Sequence, residues 1–97
     1  MSYLIDKHDI IEKCGALQSA ADTALAEAYE VRSTIGGAVN WADLGCVDAT
    51  WSIDQLGTEY FTIYIEEAAP YEAPLIKFVR ERLELRGWHD ISIVTEW

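Results

Sequence analysis

The apolar residues of this chain change their period at Gly36-Gly37, and that change constrains the fold more than any other feature. Before it, Ile10, Cys14, Leu17, Ala21, Ala24, Ala28, Val31 and Ile35 recur at spacings of three and four, as on a helix with one buried stripe. After it the period is two. Val47, Ala49, Trp51 and Ile53 alternate with Asp48, Thr50, Ser52 and Asp54, and Phe61, Ile63 and Ile65 alternate with Tyr60, Thr62, Tyr64 and Glu66. That is the pattern of two strands, each with one buried face.

The first helix is expected over residues 6–34. Asp6 suits its N-cap, with Asp9 three residues on, and the two glycines stop it. At 1.5 Å per residue such a helix is about 40 Å long, whereas a compact domain of this size is about 30 Å across. The excess requires either a bend near Gly15, where glycine costs about 1 kcal/mol relative to alanine, or an end that projects and packs on another chain. The small residues Ala16, Ala20, Ala21, Ala24, Ala26 and Ala28 let a neighbouring backbone come close, whether that backbone is the sheet or a second helix.

The hairpin is expected over residues 46–67. Gln55, Leu56 and Gly57 suit a three-residue loop with Gly57 in the left-handed region. This loop sets the register: Trp51 opposite Phe61 and Ala49 opposite Ile63 on the inner side, with Thr50 opposite Thr62, Ser52 opposite Tyr60 and Asp48 opposite Tyr64 on the outer side. Pro70 and Pro74 bracket a loop. Pro74 fits the first turn of a helix over 74–86, whose apolar face is Leu75, Ile76, Val79 and Leu83. Gly87 ends that helix, and Trp88 is placed to pack back on its last turn. A short strand over 91–96 follows.

The expectation is therefore one α+β domain covering 1–97, in the order α-β-β-α-β. The second helix makes a right-handed crossover that leaves the third strand parallel to the second. The simplest arrangement is a three-stranded mixed sheet of order 2-1-3 with both helices on one face, the uncovered face then presenting Asp48, Thr50, Ser52, Tyr60, Thr62, Tyr64 and Glu66, joined by Ser92 and Glu96 of the last strand. At 97 residues the chain supports one core. Trp51 belongs in it, while Trp41 and Trp97 are expected in the core or at its edge.

Charge bounds the function. Seven Lys and Arg stand against 17 acids, a net charge of −10. Between Ser33 and Ile76 the chain runs 44 residues without a base and carries Asp43, Asp48, Asp54, Glu59, Glu66, Glu67 and Glu72. Unneutralised charge of one sign steers a basic partner and repels phosphate, so direct binding of nucleic acid is not expected. Lys77, Arg80, Arg82 and Arg86 are interleaved with Glu81 and Glu84 and read as an ion-paired, solvated helix face. No apolar run approaches the roughly 20 residues that span a bilayer, and MSYLIDKHD lacks the base-then-apolar order of a signal peptide. Two distant cysteines without a CxxC spacing suit reduced thiols, so a cytoplasmic setting is expected.

Catalytic and metal motifs are not evident. His8, Asp9 and Glu12 on the first helix and His89 with Asp90 near the last strand match no established ligand spacing. Cys14 and Cys46 lack an activating neighbour, since nearby acids raise a thiol pKa. No cofactor is expected, and Gly36-Gly37 is not a phosphate cradle. The expectation is a non-enzymatic binding module that docks on the basic, nucleic-acid-binding surface of a partner protein through Asp48, Asp54, Glu59, Tyr60, Tyr64, Glu66 and Glu67. Small phage anti-restriction and anti-CRISPR proteins that mimic DNA are the nearest analogy by charge. Two other readings are a structural domain that forms a homodimer through the first helix, and a small enzyme using His8, His89 or Cys46.

Overall fold

A computed structural model describes residues 7–36, 39–69 and 72–96. Its elements follow in the order α1 (Lys7–Glu30), α2 (Arg32–Ile35), β1 (Gly45–Ile53), β2 (Glu59–Glu66), α3 (Ala73–Leu85) and β3 (Ser92–Glu96). This is a small α+β domain with a three-stranded mixed sheet. Asp6, Gly37, Pro70 and Trp97 and the side chain of Cys46, to which the sequence assigned roles, lie outside what is described.

The first helix is not one piece over 6–34. Hydrogen bonds from Val31 N–H to the Ala28 carbonyl (3.1 Å) and from Thr34 N–H to the Val31 carbonyl (2.9 Å) span three residues instead of four. They tighten the backbone at Val31 and separate α1 from α2, a common way for the last carbonyls of a helix to be satisfied. The Thr34 hydroxyl also donates to the Val31 carbonyl, at 2.7 Å. Through Gly15 the helix is uninterrupted. The molecule is elongated, 51 × 21 × 21 Å.

The hairpin register is the one that the alternation requires: Trp51 opposite Phe61, Ala49 opposite Ile63, Thr50 opposite Thr62 and Asp48 opposite Tyr64. The register slips between Cys46 and Asp48, leaving Val47 as the extra residue of a β-bulge. Gly57, at φ +83°, closes the three-residue loop with an N–H bond to the Asp54 carbonyl at 3.1 Å. A side chain there would be strained in this left-handed conformation.

The strand order is β1-β2-β3, not 2-1-3. β3 pairs with β2 in parallel, Thr62 opposite Ser92 and Ile63 opposite Ile93, so β2 is the central strand. The apolar alternation of Phe61, Ile63 and Ile65, with Ile63 and Ile65 wholly buried, suits a strand flanked on both sides. β1, with its bulge and polar outer residues, takes an edge, where bulges are tolerated and blunt further pairing.

Both helices cover the face that carries Ala49, Ile63 and Ile65. Leu17, Ala21, Ala24, Leu25 and Ala28 from α1 meet Leu75, Val79 and Leu83 from α3 in one core. Alanines on α1 bring that helix close to its neighbours. α3 ends in a Schellman motif: Gly87 (φ +88°) donates to the Glu84 carbonyl at 3.0 Å, and Trp88 to that of Leu83 at 2.9 Å. Trp88 then packs edge-to-face on Phe61, with ring centres 6.0 Å apart. Trp51, expected in the core, is half-buried and does not pack in it, whereas Trp41 packs against its edge and stands edge-on to Tyr29 at 6.4 Å.

Candidate functional site

Basic residues are confined to the helical layer, while acids occur in both layers. β1, β2 and β3 contain Asp48, Glu59, Glu66 and Glu96 and no Lys or Arg. The arginines belong to the helical layer. Arg32 lies over the Tyr29 ring at 4.1 Å, and Arg80 donates to the Ile91 carbonyl at 2.7 Å. Arg82 reaches Glu27 at 3.7 Å, and Arg86 pairs with the same carboxylate. These interactions keep them beside the helices.

On the face that no helix covers, the pleat and register gather the outward-facing residues into rows. Asp48, Tyr64 and Val94 form one row across the three strands, and Thr50, Thr62 and Ser92 form the next. Glu66 and Glu96 are direct neighbours on parallel strands. Together Asp48, Thr50, Tyr64, Ile65, Glu66 and Glu96 line an open hollow of ≈ 320 Å³. Its three carboxylates stand around one phenol with no base in the lining, so the hollow favours cationic or hydrogen-bond-donating groups and disfavours anions.

Of the seven residues expected to bind a partner, Asp48, Tyr64 and Glu66 are brought together in this hollow, and Tyr60 lies on the same face toward the hairpin tip. Three others are placed differently. Asp54 closes the hairpin: its Oδ1 accepts the N–H groups of Leu56 (2.8 Å) and Thr58 (2.9 Å), and its Oδ2 accepts the Tyr60 hydroxyl (2.9 Å). These bonds, the one from Thr58 foremost, hold its carboxyl below the ordinary carboxylate pKa, while the same carboxylate raises the Tyr60 phenol. Glu59 pairs with Ile53 and so falls on the parity of Phe61 and Ile63, away from the open face. Glu67 sits in a left-handed bend (φ 68°) after β2. Its carbonyl accepts the Asn40 N–H at 2.8 Å, and its carboxylate accepts the Asn40 amide at 3.4 Å. Glu72, one of the seven acids in the base-free run, is buried.

Glu96, expected on the uncovered face with Ser92 but not among the seven binding residues, completes the hollow. Its place beside Glu66 follows from β3 pairing with β2, which the 2-1-3 order hides. No feature of the strand pattern marks that pairing.

Among the described residues, no group of three or more His, Cys, Asp and Glu is arranged to hold a metal ion. His8 and His89 are exposed, at the start of α1 and in the α3–β3 connection. The Cys14 thiol is pushed up from its ordinary pKa, first by burial and then by the charge of Asp48, so it is held in the protonated, weakly nucleophilic form. No helix among the described residues is long and apolar enough to cross a membrane. No family model, curated protein or solved structure matches this chain.

Proposed function

We propose that this chain is a non-enzymatic binding module whose uncovered sheet face docks on a basic, nucleic-acid-binding surface of a partner protein, as an inhibitor or modulator. The observation that carries the reading is the absence of any Lys or Arg from the three strands, with the three acids of their open face, Asp48, Glu66 and Glu96, in one hollow. Carboxylates fixed on a pleated face offer a basic groove a row of negative charge in place of phosphates, and Tyr64 adds the amphipathic contact that interfaces favour. The attraction is strongest at low ionic strength.

The test is capture of partners by the immobilised chain at low and high salt, beside a D48K/E66K/E96K variant whose fold is verified by circular dichroism. The expected result is a partner retained at low salt, released by duplex DNA or high salt, and absent from the variant. A partner bound equally well by the charge-reversed face overturns the reading.

A further inference from the structure

A second hollow lies between α1 and the segment that leads into β1. Asp22, Leu25, Ala26 and Tyr29 recur along α1 at i, i+3, i+4 and i+7, so one face of the helix forms one wall, and Trp41 and Leu44 line it from the other segment. Its volume is ≈ 230 Å³, below the roughly 300 Å³ at which sites for drug-sized ligands begin, so it suits one small headgroup.

The lining combines apolar walls with groups that favour positive charge. Leu25 is buried, and Trp41 and Leu44 are half-buried. Trp41 stands edge-to-face with Tyr29, ring centres 6.4 Å apart, and aromatic faces attract cations, tryptophan most strongly. The Tyr29 ring already carries one: the Arg32 guanidinium lies over it at 4.1 Å and donates to the Tyr29 carbonyl at 2.8 Å. Among the described residues no base lies over Trp41, and the lining contains none. Asp22 supplies the charge. Among the described residues its carboxylate makes no hydrogen bond or ion pair, whereas Glu27 on the same helix is taken up by Arg82 and Arg86. Tyr29, with Arg32 over it, is about two turns further on, about 10 Å along the axis, where physiological salt screens most of the attraction. The groove is thus left with unanswered negative charge beside an aromatic wall.

A quaternary ammonium meets this combination. It has no N–H groups to leave unbonded, its methyl groups suit aromatic and leucine surface, and its diffuse charge is answered by a carboxylate. A primary ammonium or a guanidinium gives up hydrogen bonds to water that leucines do not return. We propose that this groove binds a small free quaternary ammonium compound of the choline class, with its methyl groups against Trp41 and its charge facing Asp22.

Titration of the purified full chain with choline, followed by the indole N–H resonances in nuclear magnetic resonance spectra, tests it. The Trp41 resonance, identified by its loss in Trp41→Phe, should move saturably with a midpoint of about 1 mM, while those of Trp51 and Trp88 stay in place. Dimethylbutanol, the uncharged carbon isostere of choline, should bind at least about tenfold more weakly, as should choline to Asp22→Asn. Ala26→Leu fills the groove from an exposed helix position and should abolish saturation. Glu84→Gln, at an exposed acid on α3 outside the groove, should leave binding unchanged. The proposal is overturned by the absence of saturation, by equal binding of the isostere, by choline affinity that survives Asp22→Asn and Ala26→Leu, or by an equal loss in Glu84→Gln. A trimethyllysine peptide that binds more than about tenfold tighter than choline would assign the groove to a partner chain and overturn it as well.

Discussion

Alternate residues of β2 meet opposite surroundings. Ile63 and Ile65 are wholly buried beneath α1 and α3, while Thr62, Tyr64 and Glu66 face away from both helices. One side of the strand is selected for volume and the other for charge, because the helices exclude water from the first and leave it on the second. The molecule thus concentrates its stability on one face, and the chemistry of the other can be altered with little penalty to folding.

The sharpest way to break this division is to shorten neighbouring residues on the two faces. Ile63→Ala removes a fully buried side chain and should cost about 2–5 kcal/mol, transfer and cavity terms together. Thr62→Ala, one residue away on the open face, should cost less than about 1 kcal/mol. Urea unfolding followed by tryptophan fluorescence measures both. Equal losses would mean that the open face carries packing that the burial pattern does not show.

The two faces were not equally legible in the sequence. Alternation at period two fixed which residues of the hairpin face inward, and Gln55-Leu56-Gly57 fixed the register, because a one-residue slip would turn Ile63 and Ile65 to water. What alternation could not supply was the neighbour of β3. Parallel pairing with β2 depends on how α3 returns the chain, which leaves no mark in the strand pattern, and so the Glu66–Glu96 pair was hidden. The break at Val31 was equally silent, since it depends on three-residue hydrogen bonds within a stretch that keeps its helical spacing. The structural duties of Asp54 and Glu67 are silent too, because composition counts a carboxylate without saying which N–H groups it serves.

Asp54 tests whether an acid at the rim of the open face is structural. Asp54→Ala leaves the Leu56 and Thr58 N–H groups without their acceptor and should lower the melting temperature, with Asp54→Asn intermediate because its amide oxygen still accepts both N–H groups, without charge, while its NH2 cannot accept the Tyr60 hydroxyl. The pH dependence has a definite sign. A carboxyl whose folded pKa lies below its unfolded value contributes stability at higher pH that is lost as pH falls through the folded pKa. Tyr60, raised by the same bond, contributes stability below the ordinary tyrosine pKa that is lost as pH rises through its folded pKa. Thermal melts should therefore show an acid loss and an alkaline loss that Asp54→Ala both reduces. Identical pH profiles for wild type and variant would return Asp54 to the set of free surface charges.

The smallest expected effect has the opposite sign. Glu66 and Glu96 are like charges directly paired across parallel strands, an arrangement that costs stability, so Glu66→Gln should raise the unfolding free energy by about 0.2–1 kcal/mol. The substitution keeps the shape of the side chain, so the gain can be assigned to charge. It should shrink as salt is added, because salt screens the repulsion in the wild type and leaves the variant little to gain. Chemical denaturation at low and high ionic strength reads both trends. A loss of stability in Glu66→Gln would show that the carboxylate serves a bond within the fold, as that of Asp54 does. A gain combined with weaker partner capture would place the open face among sites that keep a destabilising charge for the sake of binding.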